Sequence, residues 1–116
     1  MNYLKPPKEL RNGYKDPKHL ARVASLPCVA CHLRDLEQFY PTEVHHKIGL
    51  GLGKKASDLL VMPLCDLHHF GRFIRDEHAH LIEGYSIHKT PLNQWEAEWK
   101  DQDFLIEITN RMLSYD

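Results

Sequence analysis

"HHKIGLGLGKKASDLLVMPLCDLHH", residues 45–69, begins and ends on a pair of adjacent histidines. Neighbours on a strand point to opposite faces, and neighbours on a helix lie about 100° apart. His45 and His46, and likewise His68 and His69, are therefore read as residues with separate jobs. Within the stretch, "TEVHHKIG" (42–49) has the pattern of a strand, "GLGKKASD" of a turn with a flexible backbone, and "LLVMPLC" (59–65) of a second, apolar strand. The following "DLHHFGRFIRDEH" reads as a helix, weakened by Gly71. The decisive segment is thus strand, turn, strand, helix, with one histidine pair on the first strand and the other at the start of the helix.

Helical pieces flank this unit. Asp16 followed by Pro17 gives an N-cap and a first-turn proline, which predicts a short helix over "PKHLARVAS". Pro27 ends it and leads into "CVAC", read as a tight turn, and residues 32–42 form a loop or short helix ending at Pro41. Beyond the unit, Thr90 and Pro91 are expected to cap "LNQWEAEWK", with Trp95 and Trp99 at i and i+4. Asp101 can cap a last helix in which Leu105, Ile108 and Met112 share a face. Both tryptophans and that stripe are expected in the core. His78 and His80 are expected at the surface.

A chain of 116 residues, 42% hydrophobic and 27% charged, suits one small domain. The division is a basic arm over 1–15 and a single domain over 16–116, with a core at about 26–75 and C-terminal helices at about 91–114. No apolar run is long enough to cross a bilayer, and "MNYLKPPKEL" has no apolar signal core, so a cytoplasmic protein without a membrane partner is expected. The net charge of −1 hides an asymmetry. Residues 1–75 carry 12 Lys and Arg against 7 Asp and Glu, whereas residues 76–116 carry 3 against 9. A basic front is what a polyanion would meet, although ordinary solvated faces give the same count. Oligomeric state cannot be read from the residues.

Three cysteines cannot all pair with one another, and in a reducing compartment they direct attention to metal. Cys28 and Cys31 form one C-x-x-C pair; Cys65 and His68 form a matching C-x-x-H pair. Two residues between ligands let a tight turn aim both side chains at one ion, and two such turns complete the tetrahedron of a structural Zn2+ site. Small buried hydrophobes are the competing reading of these cysteines. His32, directly after Cys31, is the spare donor of this set. A thiol redox protein is a poor alternative, because its single C-x-x-C has a matching second half.

Three histidines of the two pairs remain: His45, His46 and His69. Together with "VHHKI", "SDLLVMPLC" and "CDLHHF", they make the chain resemble the ββα-metal (His-Me) finger of HNH endonucleases over roughly residues 26–75. The resemblance implies an α+β fold with a zinc-stapled ββα-metal core. It places His45 and His69 as ligands of a catalytic Mg2+ or other divalent cation, His46 as general base, and Asp58, where the family has Asn, as the residue that orients the base. Some relatives carry a further histidine one helical turn after His69, where this chain has Phe73. The longer pattern, continuing into "SIHKTPLNQWEAEW", is similar to the phage and prophage recombination-enhancement (Ref-like) nucleases. That similarity makes DNA, and DNA coated with RecA, the implied partners. It also makes His88 a candidate ligand or substrate contact, with a loop surface histidine as the alternative.

The chemistry is coherent without the family. Hydrolysis of a phosphodiester needs a proton acceptor for water and charge relief on the phosphate. An imidazole and an incompletely ligated divalent ion supply these. Lys47, Lys54, Lys55, Arg72 and Arg75 are the expected phosphate contacts, and the basic residues of 1–22 either join them or form a tail. "GLGLGKK" is not a P-loop, since Ile48 stands five before Gly53 and Lys55 follows Lys54. The expectation is a metal-dependent DNA endonuclease of HNH type. Its rival is a non-catalytic zinc module that binds nucleic acid or a recombination protein.

Overall fold

The computed structural model describes residues 7–51 and 53–114. It is a small α+β structure in which helices pack around one two-stranded antiparallel sheet. Strand β1 (Thr42–His46) pairs with β2 (Val61–Cys65), with Thr42 opposite Cys65, His45 opposite Met62 and His46 opposite Val61. Every residue of β2 is buried. An apolar strand of this kind is covered on both faces, and α1 (Pro17–Ala24), α2 (Val29–Leu33) and α5 (Gln102–Ser114) all pack against it. Pro63 sits in β2 because each strand of a two-stranded sheet is an edge strand, which tolerates a missing N–H.

Helix α1 begins where expected: the Asp16 side chain accepts the His19 N–H at 3.1 Å, and Pro17 occupies the first turn. "CVAC" differs from expectation. It opens α2, and Cys28 caps it by accepting the Cys31 N–H on its sulfur at 3.5 Å. Helix α4 (Leu92–Trp99) forms as expected, but Thr90 does not cap it; the Thr90 hydroxyl accepts the Gly84 N–H instead. Asp101 caps the N-terminal turn of α5 through the Phe104 N–H at 2.8 Å. Trp95 and Trp99 are buried, and each indole N–H finds a backbone carbonyl, of Tyr85 and Gly84 respectively. On α5 the fully buried residues include Leu105, Ile106, Thr109 and Leu113, while Ile108 and Met112 pack half-buried at the margin.

The helix expected over "DLHHFGRFIRDEH" does not form. Residues 66–70 make a single turn, and a 3-10 helix follows only at Asp76–Leu81, leading into the kinked segment α3 (Ile82–Tyr85). Asp66 is the physical reason. Its carbonyl accepts the Gly71 N–H at 2.7 Å, and its carboxylate accepts the N–H groups of Arg72 (3.1 Å) and Phe73 (2.8 Å). Those donors are then satisfied without continuing a helix. Gly71, at φ +66°, turns the chain away.

The basic arm is also more ordered than a tail in its described part; Lys5 lies outside the described residues. Lys8–Leu10 form a 3-10 turn, the Gly13 N–H donates to the Lys55 carbonyl, and the Tyr14 carbonyl accepts the Asp58 N–H, both at 2.9 Å. Residues 8–15 therefore lie along the segment that joins the strands. Among the described residues, no helix is long and apolar enough to cross a membrane.

Candidate metal centres

The two knuckles meet in the core. Cys28 and Cys31 come from the start of α2, Cys65 from the end of β2, and His68 from the turn that follows; all four are buried. Cys31 Sγ and Cys65 Sγ are 3.9 Å apart, and His68 Nδ1 lies 3.7, 3.6 and 3.3 Å from the sulfurs of Cys28, Cys31 and Cys65. A sulfur pair at 3.9 Å is far from the roughly 2 Å of a disulfide. It matches the edge of a tetrahedron, since two sulfurs about 2.3 Å from a Zn2+ stand about 3.8 Å apart. The donor set therefore fits a structural zinc.

The thiols need such a partner. Burial pushes the Cys28 thiol up, but hydrogen bonds from Cys31 and Cys65 outweigh it and bring it down to about 3. The Cys31 thiol, donating to Cys28, is held well above the ordinary range. Without a cation, the three sulfurs cannot all ionise in one buried space. With Nδ1 turned to the sulfurs, the other His68 nitrogen is buried without a hydrogen-bond partner, and the ring packs T-shaped on Trp99 at 4.4 Å between centroids. His32 is exposed and takes no part.

The second pair of histidines divides as the strand geometry requires. His45 points inward and is 1% exposed. Its ring stands 5.2 Å from that of His69 and 5.2 Å from that of His88, and His69 and His88 are 5.1 Å apart. The three rings form a near-equilateral triangle, and one nitrogen from each lies within 4.8 Å of the others. His88 reaches this place because the chain after α3 returns alongside the turn at 66–70. The Ile87 N–H donates to the His68 carbonyl, and the Ser86 hydroxyl donates to the His69 carbonyl. Phe73, by contrast, takes no part in the cluster and is 71% exposed.

Two of these imidazoles, His45 and His88, are held below the ordinary histidine range. Burial pushes the pKa of His45 down to about 3, with a Gln102 hydrogen bond opposing. Burial and the neighbouring His69 bring His88 to about 4. Glu43 Oε1 lies 2.7 Å from His69 Nδ1, an acceptor that leaves His69 Nε2 with the free lone pair. The cluster is closed on the His45 side and open to solvent at His88.

His46 faces the other way, with a side chain 20% exposed and its Nε2 2.8 Å from Asp58 Oδ1. Asp58 is buried, and its other oxygen accepts the Asp16 N–H at 2.8 Å. Burial raises the Asp58 pKa, but the bonds to His46 and Asp16 outweigh it and hold the carboxyl below its usual range. An ionised Asp58 fixes the ring of His46 and leaves Nδ1 free. Two donors converge on this side chain, so a carboxylate with two acceptor oxygens serves where one amide oxygen would not.

The basic residues are distributed less simply. Lys47 is paired with Asp103 at 2.7 Å, and Arg75 with Glu77 at 3.2 Å. Lys54 and Lys55 are exposed in the loop between the strands. Arg72 lies over the Phe70 ring at 4.1 Å, and Phe70 stacks on His88 at 4.0 Å, which puts a guanidinium beside the histidine triangle. His80 is exposed, whereas His78 is half-buried with Nδ1 2.7 Å from the Tyr40 hydroxyl. Two residues without a sequence signal complete the site, Glu43 and Gln102; neither lies in a recognisable motif, and their partners are 26 and 57 residues away.

A curated relative, the protein of Escherichia coli (strain K12) named Uncharacterized protein YdfU, is 35% identical over 71 residues. That similarity covers 59% of this chain and 18% of the relative's length. No solved structure matches the chain. The family model described as "Protein of unknown function (DUF968)" matches residues 1–106, and the chain belongs to that family.

Proposed function

We propose that this protein is a metal-dependent DNA endonuclease of the HNH type, a phosphodiester hydrolase with a histidine general base. One observation carries the reading: adjacent residues of one strand serve two different sites. His45 joins a triangle of three imidazoles, and His46 is held by an ionised carboxylate. A nuclease needs those two functions side by side. In this reading the strand–loop–strand segment with its single closing turn is a ββα-metal finger whose helix has shrunk to that turn.

Asp58 binds His46 through Nε2, so Nδ1 takes the proton from the attacking water, and the buried carboxylate stabilises the imidazolium that results. His45, His69 and His88 would hold the cation, with Glu43 orienting His69. A cation held by these three residues would supply Lewis-acid charge relief to phosphate oxygens. Three nitrogens suit a transition ion such as Mn2+, Co2+, Ni2+ or Zn2+ better than Mg2+, which prefers oxygen. Arg72 beside the triangle, and Lys54 and Lys55 on the open loop, take the phosphate backbone. The resemblance of the sequence to the Ref-like nucleases supports phage-associated recombination as the setting, with RecA-coated DNA as the partner to test.

The experiment is a nicking assay on supercoiled plasmid, and on single-stranded DNA with and without RecA, using Mg2+, Mn2+ and Co2+ in turn. Cation-dependent cleavage that His46→Ala reduces by roughly 10²- to 10⁴-fold supports the reading. DNA binding without cleavage under every condition supports the zinc-module rival.

A further inference from the structure

The residue that governs the second centre lies outside the finger. Gln102, the first residue of α5, is 2% exposed, and its side chain is fully engaged. Its Nε2 lies 3.0 Å from the Ile48 carbonyl, and its Oε1 lies 3.0 Å from the Ile48 N–H and 3.1 Å from His45 Nε2. The Ile48 backbone removes the usual ambiguity of an amide. A carbonyl only accepts and a backbone N–H only donates, so the orientation of the Gln102 amide is fixed. The oxygen facing His45 cannot donate, and the proton of that bond must therefore sit on His45 Nε2.

We propose that Gln102 is a positioning residue of the histidine centre: it holds His45 as the Nε2–H tautomer and so presents Nδ1 as the ligand atom. This rests on the metal-centre reading above and extends it. An imidazole that ligates a metal has one N–H and one lone pair to offer, so fixing the proton on Nε2 leaves the lone pair on Nδ1. The two oriented ligands then differ. His69, whose Nδ1 is occupied by Glu43, binds through Nε2; His45 binds through Nδ1. The orientation comes from the C-terminal part of the chain. The Gln102 N–H is accepted by Glu96 Oε2 of α4 at 2.8 Å, so the junction of α4 and α5 grips the exit of β1. An unmatched Gln102 would leave the Ile48 backbone and a ring nitrogen unpaired in the core. Outer partners of this kind set metal affinity by about 10- to 100-fold.

The test uses the zinc-loaded full chain. Long-range nitrogen-15 NMR of the histidine rings is expected to show His45 protonated at Nε2 in the wild type. Titration with Co2+, read by its nitrogen-ligand absorption, is expected to show roughly 10- to 100-fold weaker binding in Gln102→Met. Gln102→Glu, which keeps the acceptor for His45 but loses the donor to the Ile48 carbonyl, is expected to retain the Nε2–H tautomer of His45 and to bind Co2+ more tightly than Gln102→Met. Retention of the Cys28–Cys31–Cys65–His68 zinc in each variant certifies the fold. A wild-type His45 protonated at Nδ1, or a Gln102→Met variant that binds Co2+ as well as wild type, overturns the inference. A wild type that takes up no Co2+ at the histidines defeats the metal-centre reading instead, and the NMR tautomer still decides the role of Gln102.

Discussion

Removing the zinc from the Cys28, Cys31, Cys65 and His68 set is expected to unfold the protein rather than merely loosen it. The four ligands join three elements: the start of α2, the end of β2 and the turn at 66–70. They are buried in the main core beside Met62, Leu64 and Trp99. Apparent zinc binding in such tetrahedral sites is worth about 10–16 kcal/mol at neutral pH. The whole stability of a domain of this size is about 5–15 kcal/mol. The zinc term is thus as large as the margin it supports, because the sheet has only two short strands and cannot hold itself. Even about 3 kcal/mol lost through Cys31→Ser lowers Tm by roughly 10–20 °C at this length. The assay is a thermal melt of the loaded protein, the chelated protein, and the chelated protein with Zn2+ restored. Cobalt substitution adds a thiolate charge-transfer band as a count of intact sites. Loss of the cooperative transition on chelation, and its return with zinc, are expected. A stripped protein that still melts cooperatively within a few degrees of the loaded form would refute it.

Asp58→Asn leaves one acceptor oxygen for two donors, His46 and the Asp16 N–H; a loss of about 1–3 kcal/mol in urea denaturation is expected, and Asp58→Glu should not restore it. His45 stays neutral when folded down to about pH 3 but protonates near 6.5 when unfolded. Its contribution is therefore complete above about pH 6.5 and falls by about 1.4 kcal/mol for each pH unit below it, so urea midpoints should drop more steeply between pH 6.5 and 5 in wild type than in His45→Gln. A parallel pH dependence in the two would contradict the burial argument. At Gly71, φ is +66° and a Cβ would stand 3.2 Å from Ile82 Cγ2. Gly71→Ala should cost about 1–2 kcal/mol by the same denaturation measurement, and no loss would show that the turn after His69 relaxes freely.

Local chemistry made much of this structure legible. The zinc set follows from two matched spacings, and α1 from an Asp-Pro start. Strand β1 could be read because alternation separates His45 from His46, and that same alternation divides the two sites. The failures share a cause, which is competition by side chains for backbone N–H groups that the hydrophobic pattern does not display. Asp66 stops the helix after β2 by claiming the N–H groups of Arg72 and Phe73, although the hydrophobic pattern of 67–74 reads as helical. Thr90 is drawn from its cap by the Gly84 N–H. Cys28 turns "CVAC" into the first turn of a helix by capping it with its own sulfur. Glu43 and Gln102 were silent because an isolated Glu on a strand and a Gln at a helix start carry no motif. Their roles exist only once the fold brings His69 and His45 to them. His88 could be suspected only from the resemblance that covers "SIH", and the ring triangle gives it a place.

The proposed function requires two metal centres with different work: a zinc that would hold the fold and a histidine-bound ion that would serve a reaction beside His46. Native mass spectrometry and plasmid nicking on the same preparations test this most directly, in wild type, His46→Ala and the double variant His45→Ala/His69→Ala. Two ions and cleavage are expected in wild type, two ions without cleavage in His46→Ala, and one ion without cleavage in the double variant. A wild type that cleaves with a single bound zinc, or one that cleaves equally well in all three forms, would contradict it.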